Sequence, residues 1–255
     1  NPTNCDSATA TIVVSAPVID AVIDTVGPID GATGEDTTSL TDNDTLNGNQ
    51  VEIGTQPGNV ILTGTTVPLG FTLNPNGTVT IPANTPAGSY LVEYKICEVS
   101  NPTNCDSVTS TIVVSAPRID AVVDITNPIN GLIGGNTLPL TDNDTLNGVL
   151  VVIGTQPGDA TLSGLSVPLG LTLNTNGTVT IAPNTPAGTY LVEYQICEVN
   201  NPGNCDSVTS IIEVEAPFIE AVVDALGPID GTTGGTNIVN VLTNDILNDS
   251  PVAIN

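Results

Sequence analysis

The chain has 255 residues; 39% are hydrophobic, only 2% are aromatic, and Trp, Met and His are absent. Against 27 acidic residues stand two basic ones, Lys95 and Arg118, for a formal charge of −25. That charge repels nucleic-acid phosphates and anionic lipid heads, the missing histidine removes the commonest general base, and no apolar run is long enough to span a bilayer.

The elements recur with a period, which decides the organisation. Residues 1–17 open on Asn-Pro-Thr-Asn-Cys-Asp-Ser and close on Ser-Ala-Pro. The opening block returns at Asn101 and, with Gly203 in place of Thr, at Asn201. Other blocks keep the same step: Leu-Thr-Asp-Asn-Asp-Thr-Leu-Asn-Gly starts at Leu40 and Leu140, and Ile-Gly-Thr-Gln-Pro-Gly at Ile53 and Ile153. The period is 100 residues. Cuts after Pro17, Pro117 and Pro217 make 1–17 the C-terminal strand of a truncated repeat. Residues 18–117 and 118–217 are then two whole repeats, and 218–255 the N-terminal part of a further one. This frame implies more repeats on both sides, with any export signal or anchor outside these residues.

Within residues 18–117, the run Asp20 to Asp24 follows the Pro17 junction, and Asp42 and Asp44 follow at Thr-Asp-Asn-Asp. Phe71 to Ile81 reads as two short strands around Asn74-Pro75-Asn76-Gly77, where Asn-Gly supplies a tight turn. A long strand starts at Gly88 and another runs from Asp106 to Ser115, paired as a hairpin. Val, Ile and Thr with Pro/Gly/Asn turns, and no sustained helical spacing, give about seven short strands per repeat. The expected fold class is all-β: tandem Ig-like β-sandwich repeats of about 100 residues forming a semi-rigid rod. The core is then Val, Ile, Leu and Ala, with Tyr90, Tyr94, Tyr190 and Tyr194 as its largest pieces.

The cysteines fix a register. Placing Cys97 opposite Cys105 sets Tyr94 against Val108, Val92 against Ser110 and Tyr90 against Ile112 on the inner face. Glu93 then lies opposite Thr109 and Lys95 opposite Ser107 on the outer face. One register satisfies both the apolar pattern and a cross-strand disulfide, and Cys197 with Cys205 repeats it. Cys5 corresponds to Cys105, and its partner would precede Asn1. Two cysteines per repeat and no histidine do not make a zinc site, so the disulfides place the chain where thiols oxidise.

The remaining chemistry is sparse. No Gly-rich phosphate loop or nucleophile elbow appears, and we expect no enzyme. Lys95 is the only lysine and its counterpart is Gln195, which excludes a repeated Lys–Asn isopeptide bond. Calcium is the candidate cofactor, with ligands drawn from Asp20, Asp24, Asp42, Asp44, Asp120, Asp124, Asp142, Asp144, Glu220, Asp224 and Asp245. The competing reading is turn chemistry, in which Asp carboxylates bond their own backbone. At the junction, Ser-Ala-Pro runs into the next strand without a Gly/Ser linker, so neighbouring repeats of the chain are expected to stack as partners.

The block from Val167 (Val-Pro-Leu-Gly-Leu-Thr-Leu-Asn-Thr-Asn-Gly-Thr-Val-Thr-Ile), continuing through Cys197 and Asn204-Cys205-Asp206, resembles the tandem Ig-like or cadherin-like repeats of giant Bacteroidetes surface adhesins. Among them it is most similar to the gliding-motility type. The resemblance implies type IX secretion, a bacterial cell-surface location and a filament role. It also implies O-glycans on Asp-Ser/Thr triplets, with candidate acceptors Ser7, Thr25, Thr37, Thr45, Ser107, Thr145 and Ser207. The expected function is a stalk or spacer of an extracellular adhesin filament. A carbohydrate- or protein-binding sandwich module and a self-assembling surface-layer subunit are the alternatives.

Overall fold

In the computed structural model, residues 2–225, 227–236 and 240–252 are described. They fall into two compact units, Asn1–Pro117 and Arg118–Asn255. Every strand rests on local sequence that alternates or turns as its geometry requires, and no described residue is helical.

The first unit has ten strands: β1 (Ile19–Asp20), β2 (Thr25–Asp30), β3 (Glu35–Asp36), β4 (Thr45–Leu46), β5 (Asn49–Gln50), β6 (Val60–Thr66), β7 (Thr72–Leu73), β8 (Val79–Ile81), β9 (Gly88–Glu98) and β10 (Cys105–Ser115). One sheet has the order β2-β10-β9-β6; two three-stranded pieces, β1-β4-β5 and β3-β8-β7, face it. The count exceeds the seven strands expected, because that opposing layer is broken by turns into two- and three-residue pieces.

The long hairpin follows the register read from the cysteines. Cys105 pairs Cys97, Ser107 pairs Lys95, Val108 pairs Tyr94 and Ile112 pairs Tyr90. Alternation sends Val92, Tyr94 and Ile96 of β9 and Ile112 and Val114 of β10 into the core. There they meet Val60, Val79, Ile81, Phe71 and Leu40 from β6 and the facing layer. Tyr90 stays half-buried: its ring packs on Phe71 at 4.8 Å, and its hydroxyl donates back to Pro86 O at 2.7 Å, the corner that starts this strand in immunoglobulin-type sandwiches. Thr72–Leu73 and Val79–Ile81 form the expected hairpin, with Leu73 opposite Val79. Gly77 turns it at φ 86°, a left-handed conformation that side chains disfavour.

The second unit repeats the plan: β11 (Ile119–Asp120), β12 (Ile129–Asn130), β13 (Gly135–Asn136), β14 (Thr145–Leu146), β15 (Val149–Leu150), β16 (Ala160–Ser166), β17 (Leu171–Leu173), β18 (Val179–Ile181), β19 (Gly188–Glu198) and β20 (Cys205–Glu215). It continues into β21 (Ile219–Glu220), β22 (Ile246–Leu247) and β23 (Ser250–Pro251), one antiparallel sheet. Residues 1, 226, 237–239 and 253–255, which belong to the expected terminal part-repeats, lie outside the described residues.

Residues 2–17, read as the last strand of a repeat, form no strand. Their counterparts in β10 are held between β9 and β2. Among the described residues no strand pairs with residues 2–17, and Ile12, Val13 and Val14 are exposed. Cys5 is exposed and forms no disulfide. Cys97–Cys105 and Cys197–Cys205 are disulfides with Cα–Cα distances of 4.1 Å. Each closes a short loop, with a separation of 8 residues, so a Cys97→Ser/Cys105→Ser variant should lose about 2 kcal/mol of stability, read from its urea midpoint against the wild-type chain.

Candidate functional site: an acidic crossover

The sequence-flagged acids gather where the chain leaves one layer for the other. Between β1 and β2, residues 21–24 cross the edge of the sandwich outside any ladder. Their backbone N–H groups would go unpaired there, and side chains accept them instead. Ala21 N–H donates to Asp106 Oδ2 at 2.9 Å, Val22 N–H to Asp44 Oδ1 at 2.7 Å, and Asp24 N–H to Ser110 Oγ at 3.0 Å. The Ser110 hydroxyl donates back to Asp24 Oδ2 at 3.1 Å, and Asn43 donates to Asp24 Oδ1 at 2.9 Å.

The second unit copies the set: Ala121 to Asp206, Val122 to Asp144 and Asp124 to Ser210, at 2.9, 2.7 and 3.0 Å. Further on, Val222 N–H donates to Asp245 Oδ1 at 2.8 Å.

Asp44 is the deepest member, fully buried. The Tyr94 hydroxyl stands 2.7 Å from Leu40 O and 3.1 and 3.0 Å from the two Asp44 oxygens. Tyr194, Leu140 and Asp144 repeat this at 2.8, 3.1 and 3.1 Å. Burial pushes the Asp44 carboxyl up to about 6; the bonds from Val22 and Tyr94 act against it, and the nearby Asp24 and Asp20 charges act with it. Asp144 is raised to about 6 for the same leading reason. Burial also raises Asp24 and Asp124 above the ordinary carboxylate range. It raises the Tyr94 and Tyr194 phenols as well, reinforced by the Asp44 and Asp144 charges.

The candidate calcium ligands are therefore dispersed by role. Asp44, Asp144 and Asp245 are buried acceptors, Asp24 and Asp124 pair with serines, and Asp20, Asp42, Asp142 and Glu220 are exposed on the surface. Asp120 takes Arg118 in an exposed ion pair at 3.1 Å, and Asp224 is half-buried. No three His, Cys, Asp or Glu side chains among the described residues are grouped to hold a metal ion.

Of the candidate glycan acceptors, Ser7, Thr25, Ser107 and Ser207 are exposed and Thr45 and Thr145 half-buried. Thr37 is not available in the folded chain. It is buried, its hydroxyl donates to Thr38 O at 2.6 Å and accepts from Val79 N–H at 2.8 Å, and no space remains for a sugar.

Three participants escaped the sequence reading: the Tyr94 hydroxyl, Ser110 and Asp106 as an acceptor. A signal existed for Ser110, because it faces inward opposite Val92, and a hydroxyl on an apolar face requires a partner. A cleft of about 350 Å³ adjoins the network in the second unit, lined by Asp124, Pro128, Ile129, Leu138, Leu140 and Asp142 among others. It holds no cysteine, lysine or histidine.

No protein family and no curated protein matches the sequence. Among solved structures, repeats EC22–24 of mouse cadherin-23 are 14% identical over 79% of this chain and 65% of that one, with a TM-score of 0.31. Chicken VE-cadherin EC1–2 is 15% identical over 77% of this chain and 100% of that one, with a TM-score of 0.33. An endo-fucoidan hydrolase from glycoside hydrolase family 107 is 17% identical over 62% of this chain, with a TM-score of 0.29. The chain spans only 23% of that hydrolase's length. The sandwich architecture stands on the strands described above.

Proposed function

We propose that this chain is a run of spacer repeats from an extracellular adhesion-type filament, and that it catalyses no reaction. The observation that carries the reading is the way each repeat meets tension. In the first repeat β2, near the N-terminal end, pairs in parallel with β10, the last strand: Thr25 with Thr111, Val26 with Ile112, Ile29 with Val114 and Asp30 with Ser115. Pulling the two chain ends apart draws β2 and β10 in opposite directions along one ladder. The hydrogen bonds then carry load together and must break together, instead of unzipping one at a time.

The disulfide supports an oxidising location outside the cell. Among the described residues no helix is long and apolar enough to cross a membrane. The partners of a spacer are the neighbouring repeats. Service in surface attachment, with gliding as one form of it, follows the resemblance in the repeat blocks. The aromatic side chains that stack on sugars are scarce, and Tyr94 and Tyr194 are fully buried.

Single-molecule extension of the whole chain tests the proposal. Two discrete unfolding events are expected, each releasing about 30 nm of chain, with a reductant adding about 3 nm per event as the disulfide loop opens. The first repeat should resist the greater force, because the second has a shorter ladder, with β12 pairing β20 only at Ile129–Val214 and Asn130–Glu215 beside a lone bridge at Ile125–Ile211. Featureless extension at low force would refute a tension-bearing spacer.

A further inference from the structure

We propose that a reciprocal pair of side-chain amides, Asn130 with Asn248, is the clasp that fastens one repeat to the next. The two residues are 118 positions apart, one in the repeat 118–217 and one in the segment that follows Pro217, within the same compact unit. Asn130 Nδ2 donates to Asn248 Oδ1 at 2.8 Å, and Asn248 Nδ2 donates to Asn130 Oδ1 at 3.2 Å. Each amide uses one donor and one acceptor on the other, so the pair closes on itself without an ion.

Both side chains are aimed before they meet. Asn130 ends β12, and its Oδ1 accepts Leu132 N–H at 3.0 Å, an Asx turn that fixes the amide. Asn248 opens the tight turn between β22 and β23 at φ 47°, a conformation asparagine tolerates better than most residues. Its Oδ1 accepts Phe218 N–H at 3.1 Å and its own N–H donates to Phe218 O at 2.8 Å. Asn248 is thereby tied to the first residue after Pro217, and it carries the clasp to the covalent junction. A junction held at two separate points, the peptide and the clasp, loses the free swing of a single tether. Neutral amides also suit a chain of charge −25, where facing carboxylates would repel.

Each repeat carries both halves of the device. The Asx turn recurs at Asp30, whose Oδ1 accepts Ala32 N–H at 2.9 Å, and at Asp230, whose Oδ1 accepts Thr232 N–H at 2.8 Å. The left-handed asparagine recurs at Asn47 and Asn147, with φ of 53° and 54°. The clasp deepens the spacer reading. It is tested separately, by exchange at Phe218 and Asn248, which lie outside the β2–β10 and β12–β20 ladders that extension loads.

Amide hydrogen exchange on the whole chain is the test. Asn130→Ala should speed exchange at Phe218 and Asn248 about tenfold, with the amides of β19 and β20 unchanged. Asn130→Asp, the residue found at positions 30 and 230, keeps an acceptor for Asn248 Nδ2 and for Leu132 N–H, and should stay within about threefold of wild type. Unaltered exchange at Phe218 and Asn248 in Asn130→Ala would overturn the clasp. So would a rise that spreads equally through β19 and β20, since that would assign Asn130 to the fold of its own repeat.

Discussion

Replacing Tyr94 with alanine is expected to lower the stability of repeat 18–117 by about 4 kcal/mol, the largest single-residue effect in the repeat. Its ring is fully buried among Val92, Ile96, Leu40 and their neighbours, and removing it leaves a void that a two-layer sandwich cannot collapse into. Tyr94→Phe separates the polar share. The ring stays, but Leu40 O and the Asp44 carboxylate lose the hydroxyl that reaches both, and the loss should be about 2 kcal/mol. Urea denaturation followed by circular dichroism would show one of two transitions moving earlier. The repeat built on Tyr194 should keep its midpoint. A Phe variant as stable as wild type would mean that the hydroxyl contributes only its volume.

The second large effect is a pH dependence opposite to that of most acidic groups in proteins. Asp44 titrates near 6 in the folded chain against an ordinary value of 3.8, as does Asp144. The folded state therefore holds a proton that the unfolded chain has already released. Stability from these two groups is complete below pH 4, declines between about pH 4 and 6, and is flat above that. At about 1.4 kcal/mol per pKa unit, the decline is about 3 kcal/mol in each repeat.

The geometry gives the same sign. Leu40 O and the two Asp44 oxygens compete for one Tyr94 proton. When Asp44 is protonated, Tyr94 can donate to Leu40 while the acid donates to the Tyr94 oxygen, and every group is paired. An Asp44→Asn/Asp144→Asn chain places an amide there permanently. Its melting temperature should fall less between pH 4 and 7 than that of the wild type. The residual slope reports the general repulsion among the remaining acids. An unchanged slope would remove Asp44 and Asp144 as its source.

What the sequence reveals is what alternates or repeats. The period, the long hairpin, its disulfide and its inward Tyr/Val/Ile face were all readable, because residues in a ladder must obey the two-residue pleat and two cysteines pin its phase. The parallel pairing of β2 with β10 was not readable. It joins Thr25 to Thr111, and a strand's own pattern shows its face but never its neighbour. Nor could residues 2–17 declare themselves as coil, since their sequence matches that of β10 and its approach while the structure gives them no strand.

The acids were visible, but their purpose was hidden. Asp20, Asp24, Asp42 and Asp44 are close in sequence and suggest one site. Yet Asp44 turns inward to Val22 and Tyr94 and Asp24 turns to Ser110. These bonds are long-range, unlike those of a carboxylate to its own turn. Val22 is 22 residues from Asp44, and Ala21 is 85 from Asp106.

The central claim is that the acids at the crossover serve the fold of each repeat by accepting backbone N–H groups that no ladder accepts. Hydrogen exchange at Ala21, Val22 and Asp24 measures this most directly. These amides should exchange within about tenfold of those in β9 and β10, although none of the three belongs to a strand. Exchange at the rate of an unstructured peptide would contradict the account and return the acids to the surface as groups free to bind something else.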